Sequence, residues 1–193
     1  MARTKQFDEE EVLNRALELF WKQGYNATSM QDLVSHLGIN RASLYDTYSG
    51  KRQLFNRALN NYRLHNAQGI SDFLNKYDSV KEGLHKLFKN SINESVSDKD
   101  HKGCFVTNTT TELIPGDDEI HTVLIENKIL FEGIFEEYIN KGIKSGEIDP
   151  SKNAKSIAGF LFMLNNGLRV TAKVNPDRSE LESIIESALS VLD

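Results

Sequence analysis

Apolar residues recur at helical spacing along almost the whole chain. Val12/Leu13, Ala16/Leu17 and Phe20 fall on one helical face. Asp8 to Glu11 would occupy the first turn, where the helix dipole favours acids, and Gly24 is placed to end the helix. A second, short helix starts at Thr28 or Ser29. Ser29 followed three residues later by Asp32 resembles a capping box, and Met30, Leu33, Val34 and Leu37 form an inner stripe. Gly38 supplies a sharp turn, and Asn40 is a good N-cap for a third short helix carrying Arg41, Ala42, Ser43, Leu44 and Tyr45.

Ser49-Gly50 breaks that helix. A long helix then begins near Lys51 and runs to the region of Leu74 to Lys76, and another spans roughly Ser79 to Val96. Ser97 to His101 reads as a loop. The segment FVTNTTTEL, within Cys104 to Leu113, is β-branched enough to be a strand by propensity, but a lone strand in a helical context has nothing to pair with; a buried helix is the expectation. Ile114-Pro115-Gly116-Asp117 is a strong break, with Asp117 or Asp118 capping a helix that runs to about Lys144. Gly146 and Asp149-Pro150 punctuate again, Pro fitting a first helical position. Ile157, Phe160, Leu161, Leu164 and Leu168 mark the next helix. Asp177 with Glu180 caps a last one bearing Leu181, Ile184, Ile185, Ala188, Leu189 and Leu192. The fold class is all-α, with about nine helices, and the chain contains no internal repeat.

The length of 193 residues suits one domain or two small ones, and 39% hydrophobic with 26% charged residues is ordinary for a globular protein. A single Cys excludes an intramolecular disulfide framework and an all-Cys zinc site. The N-terminal MARTKQFDEEE has no apolar core to act as a signal peptide and no stretch approaches a membrane span, so a reduced, cytoplasmic protein without membrane partners is expected. The net charge of -5 speaks against nucleic acid until it is divided. Up to His65 there are 9 Lys and Arg against 7 Asp and Glu, hence +2; the remainder has 14 against 21, hence -7. Between Leu33 and Asn66 the only acid is Asp46, facing Arg41, Lys51, Arg52, Arg57 and Arg63 in sequence. A locally basic head is attached to an acidic body.

The segment Gly24 to Phe55 holds two short helices joined by a tight Gly-containing turn, a helix-turn-helix candidate. The second helix exposes Arg41, Ala42, Ser43 and Tyr45 while burying Leu44. Small residues near its N-terminus permit close entry into a major groove, and Arg can donate twice to a guanine edge. Tyr48 and Lys51 follow where a phosphate could be gripped, Lys51 beside a helix N-terminus. Arg52, Arg57 and Arg63 read as solvated helix charges.

From Val12 to Leu59 the chain resembles the TetR family of bacterial transcriptional repressors. The resemblance is carried in order and without gaps by Ala16, Phe20, Gly24-Tyr25, Thr28-Ser29-Met30, Leu33, Leu37-Gly38-Ile39, Ser43-Leu44-Tyr45, Tyr48, Lys51 and Leu54-Phe55. It implies that Ser29, Gln31, Arg41, Ala42, Ser43, Tyr45, Tyr48 and Lys51 line a surface for a double-stranded DNA operator. Asp46-Thr47 stands where the family often has His or Asn, and Tyr48 where it often has Phe; Asp46 would repel phosphate and is left out of the contact set. Further on, KGCFVTNTTTEL looks like the start of the regulatory domain in a subgroup where a Gly-Cys pair opens the sixth helix. SGEIDPSKNAKSIAGFLFMLNNGL is similar to the family's turn into its eighth helix. The implied layout is a DNA-binding domain over 1–50, its connecting helix starting out to about 65, and an effector-binding, dimerising domain over 51–193.

The last two helices both have apolar faces, and two from each of two chains would bury them as a four-helix bundle. The expected interface of a homodimer is Phe160, Leu161, Leu164, Leu168, Leu181, Ile184, Ile185, Ala188 and Leu189. For an unknown small-molecule effector the candidate lining is Cys104, Phe105, Phe131, Phe135, Phe160, Phe162 and Met163, with Asn108, Thr109 and Asn166 as orienting polar groups. Most of the aromatics serve equally well as plain core. Cys104 could be an inert buried thiol or an electrophile sensor, with His101, Lys102 and a helix start nearby. The five His residues show no metal-ligand spacing, and no nucleophile with its base, carboxylate pair or phosphate loop is present, so neither an enzyme nor a cofactor is expected. The expected function is a ligand-responsive DNA-binding regulator, most simply a repressor on a palindromic operator. Alternatives are an activator or constitutive binder, a redox-sensing repressor acting through Cys104, and a helical interaction module without DNA binding.

Overall fold

In the computed structural model, which describes residues 7–193, nine α-helices follow one another and no strand occurs among the described residues. Most of the segment read above for a signal peptide, residues 1–6, lies outside the described residues. The helices are α1 Glu9–Gln23, α2 Met30–Leu37, α3 Arg41–Tyr48, α4 Lys51–Leu74, α5 Val80–Ser97, α6 Phe105–Leu113, α7 Asp118–Ser145, α8 Ala154–Val174 and α9 Arg178–Leu189.

Their ends are set by local chemistry. Asp8 accepts the backbone N–H groups of Glu10 and Glu11, satisfying donors that a helix start leaves free. Ser29 and Asp32 form a reciprocal capping box, and Gly38 ends α2 at φ +68°, a conformation that favours glycine. Asn40 accepts Ser43 N–H at 2.8 Å to start α3. Asp117 and Asp177 cap α7 and α9. The start of α8 differs from expectation: Asn153, not Asp149-Pro150, precedes it, because the Asn153 side chain accepts Ser156 N–H at 2.9 Å. Pro150 instead sits in a turn closed by Lys152 N–H on Asp149 O.

The β-branched α6 is a helix. Its Thr110 hydroxyl donates to Val106 O and its Thr111 hydroxyl to Asn108 O, so these side chains bond back into the helix rather than compete with it.

Two hydrophobic cores form. One joins α1, α2, α3 and the first part of α4 through Phe20, Leu33, Leu44, Tyr48 and Phe55, and it also takes in α6 and Ile120 of α7. The other is built from α5, α7, α8, α9 and the last part of α4. Helix α4 therefore belongs to both, giving Leu54, Phe55, Ala58 and Leu59 to the head and Ala67 and Leu74 to the body. At about 1.5 Å per residue it is a rod of roughly 36 Å joining them.

Candidate nucleic-acid interface

Helix α3 is pinned from one side only. Leu44 and Tyr48 sit in the head core, while Arg41, Ala42 and Tyr45 are exposed and Ser43 is half-buried. Tyr45 keeps 45% of its surface open, and the Arg41 guanidinium lies 5.8 Å from its ring centre. Asp46 is exposed beside Tyr45, so an acid does share this side of the helix. Gln31 is exposed on α2. Ser29 is exposed too, with its hydroxyl committed to Asp32 at 2.6 Å. Hydrogen bonds from Ser29 hold the Asp32 carboxyl below its ordinary value.

Tyr48 departs from the expected contact set. It is only 2% exposed, and its hydroxyl donates to Glu9 O at 2.9 Å, so it ties α3 to α1 instead of facing outward. Burial raises its pKa. Lys51 is half-buried with its ammonium 4.3 Å from the centre of the Tyr25 ring, and partial burial lowers its pKa. Gly50, preceding it, provides no side-chain cap for α4.

Arg52 and Arg63 of α4 are not the solvated charges their sequence suggested, whereas Arg57 is exposed as expected. Arg52 donates to both carboxylate oxygens of Asp117 and, at 2.9 Å, to Glu119, to which Asn56 also donates. Arg63 pairs with Glu126 at 2.9 Å, and Arg57 lies over the Tyr48 ring. The Arg52 and Arg63 pairs tie the connecting helix to the first third of α7, and Arg57 ties it to α3. A second tie runs through α6: the Glu112 carboxylate accepts the N–H groups of Tyr25 and Asn26, in the turn after α1. Gly24 allows this approach, since a Cβ there would lie 2.8 Å from Glu112.

The Arg52 hydrogen bonds hold the Asp117 carboxyl down at about 2. Its unfolded value is near ~3.9. A depressed folded value means that the pair adds stability above about pH 4, and that this stability is lost as pH falls towards 2. Thermal melts should therefore show Arg52→Met below wild type at neutral pH, with the two converging on acidification through that window. A gap that stays constant would mean that Arg52 acts by packing and not by charge.

The expected effector residues do not converge on one cavity. Cys104 and Phe105 belong to the head core, where Phe105 meets Phe55 and Tyr62 edge-on at 5.7 Å. The Tyr62 hydroxyl donates to Cys104 Sγ at 3.9 Å, and burial drives the Tyr62 pKa strongly upward. Asn108 is committed to Lys102 O and to the Lys173 ammonium. Thr109 is buried without a partner, Phe131 and Phe135 fill the body core, and Phe160 is half-buried against it. Met163 is 66% exposed and lines no interior space. Phe162 and Asn166 of the expected set border a cavity between α6, α7 and α8.

The expected interface residues also divide. Leu161, Leu168, Leu181, Ile185 and Leu189 are consumed by the chain's own core. Phe160 and Leu164 are half-buried, Ile184 is exposed and Ala188 is half-buried. The sequence reading missed Val170 and Val174, which continue an exposed apolar stripe through Met163 along α8.

A small helical head with a recognition helix bared on one side, carried on a helical body, defines a helix-turn-helix transcriptional regulator. Residues 12–58 match the model of bacterial regulatory proteins of the tetR family, and residues 81–188 match the tetracyclin repressor-like C-terminal domain. The chain belongs to the TetR family. It is 35% identical, over the full length of both chains, to YezE of Bacillus subtilis (strain 168), an uncharacterized HTH-type transcriptional regulator. It is 29% identical to the HTH-type transcriptional repressor ComR of Escherichia coli (strain K12), over 98% of this chain and 90% of that protein. Among solved structures it is similar to a cysteine mutant of the TetR family regulator CifR complexed with 26 bp double-strand operator DNA. That match has 28% identity and a TM-score of 0.87, covering 97% of this chain and 98% of that one. These relatives are transcriptional regulators and not enzymes.

Proposed function

We propose that the protein is a cytoplasmic, homodimeric repressor that binds a palindromic operator and is released by a small-molecule effector. The observation that carries this reading is the bare face of α3, where Arg41, Ala42 and Tyr45 are exposed outside the head core. Ser29, Gln31, Ser43 and Lys51 flank that face and would position it on the phosphates. Tyr48 would support it from beneath. The division of labour follows the two cores: a DNA-binding head through the first part of α4, and a body that dimerises and senses. Dimerisation rests on the uncovered stripe of Met163, Val170 and Val174 on α8, with Ile184 of α9. Paired through this stripe, two copies would hold their recognition helices about 34–36 Å apart, one turn of DNA.

Effector response has a physical route. Helix α6 borders the cavity through Val106, Thr107 and Thr110, and its Glu112 grips the turn after α1. Helix α7 borders the same cavity and holds Arg52 of α4. A ligand that favours a shifted α6 and α7 would favour heads at the wrong spacing, and DNA and ligand would then oppose each other by reciprocal linkage. The effect of such a ligand on transcription is repression relieved.

Selection of bound fragments from random or genomic DNA tests the reading. The expected yield is a two-fold symmetric site whose half-site centres lie roughly 10 bp or a small multiple of a helical turn apart. Recovery of unrelated sequences, with no symmetric element, would leave only non-specific electrostatic binding and overturn it.

A further inference from the structure

Helix α3 is anchored in the head core by Leu44 and Tyr48, one turn apart and on the same side of it. Asp46 stands midway between them in sequence. At about 100° per residue it therefore points away from the core, at the summit of the bare face. Ala42, one turn earlier, shares that ridge and is exposed with it. Arg41 and Tyr45 lie on one flank, Ser43 and Thr47 on the other. Asp46 is the only acid between Leu33 and Asn66. Among the described residues its carboxylate has no hydrogen bond or ion pair, and the Arg41 guanidinium lies by the Tyr45 ring instead.

An anion at the summit of a helix that enters a major groove faces the floor, where the base edges lie, and not the phosphate walls. The walls would repel it. The floor offers it one class of partner, an exocyclic amine. Guanine and thymine present acceptors there, which repel a carboxylate. Adenine presents its N6 amine beside the N7 acceptor, whereas cytosine presents the N4 amine alone. We infer that Asp46 is a specificity-determining residue, accepting a hydrogen bond from the N4 amine of one cytosine in each half-site. The inference rests on the operator-binding reading above and adds a base to it. A side chain with a single methylene reaches a base only from a backbone lying close to the floor. Ala42 permits that approach, having nothing beyond Cβ to hold the ridge off. The contact also depends on the seat made by Arg41 and Tyr45, and is lost once they are removed.

Asp46→Ala is the test, and since the position is exposed and its carboxylate bonds to nothing, the variant should fold as wild type does. DNA bound by each protein is selected from a randomised pool at one salt concentration. The two motifs should agree except at one C·G pair in each half-site, enriched by wild type and free to vary in the variant. Binding isotherms then compare the selected operator with one in which that pair is T·A in a single half-site. Wild type should lose about fivefold to thirtyfold, and Asp46→Ala less than about twofold. Thr47→Ala, on the flank of the same turn, should keep the cytosine preference; its loss there too would assign the preference to the placement of α3 and overturn the inference. Motifs that agree at every position, with Asp46→Ala merely binding all DNA more tightly, would reduce Asp46 to a phosphate-repelling charge and overturn it as well. So would relaxation at an A·T pair. A wild-type selection with no symmetric element would instead sink the operator-binding reading, and this inference with it.

Discussion

The double variant Arg41→Ala/Tyr45→Ala is expected to fold as wild type does and to lose sequence-specific DNA binding. Both side chains project from the exposed side of α3, and the core beneath them is made by Leu44 and Tyr48. Their removal therefore empties no core position, although the Tyr45 ring packs beside Gly50 with about half its surface covered, and the cost in stability should stay within about 1 kcal/mol. The cost in binding is much larger. A guanine-reading Arg is worth about 1–3 kcal/mol at one half-site, and a dimer makes that contact twice. The expected loss from Arg41 alone is thus on the order of 30-fold to 20,000-fold in operator affinity. Tyr45 adds to this both by its own contact and because its ring, 5.8 Å from the guanidinium, helps to orient Arg41. Binding isotherms at one fixed salt concentration, on operator and on scrambled DNA, separate the effects. Operator affinity should fall to the scrambled level, while scrambled-DNA affinity changes little because Lys51 and the uncapped start of α4 remain. Unchanged operator affinity would mean that α3 is not the recognition helix.

The head was legible in the sequence because its signals are local. Ser29 with Asp32, Gly38 and Asn40 each act on backbone groups within four residues, so the positions of α2 and α3 follow from short-range chemistry. Segment FVTNTTTEL was legible only through context, since its β-branched residues favour a strand and the absence of a partner decides for a helix. What stayed hidden depends on residues far apart in the chain. Nothing near Arg52 announces Asp117 or Glu119, more than 60 residues away, so a structural clamp read as a solvated charge. Phe105 looks like a pocket aromatic until Trp21, Phe55 and Tyr62 are seen around it. Asn127 sits between Glu126 and Lys128 and reads as helix surface, yet it is the buried one of the three. Helices α8 and α9 are apolar around much of their circumference. Periodicity marks both faces there and cannot say which one the chain keeps for itself; Leu161 and Leu168 went to its own core, Met163 and Val170 did not.

That division sets up the second large effect, in the double variant Met163→Glu/Val170→Glu. The two positions are seven residues apart, hence on one side of α8, and both are exposed in the single chain, so charges there cost the isolated fold little. Against a second copy they would bring four carboxylates into an apolar seam without partners, and a buried unpaired charge opposes association strongly. The expected outcome is a monomer by sedimentation at micromolar concentration, with helical content unchanged. Its melting temperature should no longer rise with protein concentration, because the linkage between folding and association is gone. Operator affinity should fall by about 100-fold to 10,000-fold, since each head then binds its half-site alone and loses the effective concentration supplied by its twin. A longer operator would not restore it. If the variant stays dimeric, the α8 stripe is not the interface. If it is monomeric and still binds the full operator as tightly as wild type, the two half-sites are not joined through the body, and an effector in the body would have no lever on the spacing of the heads.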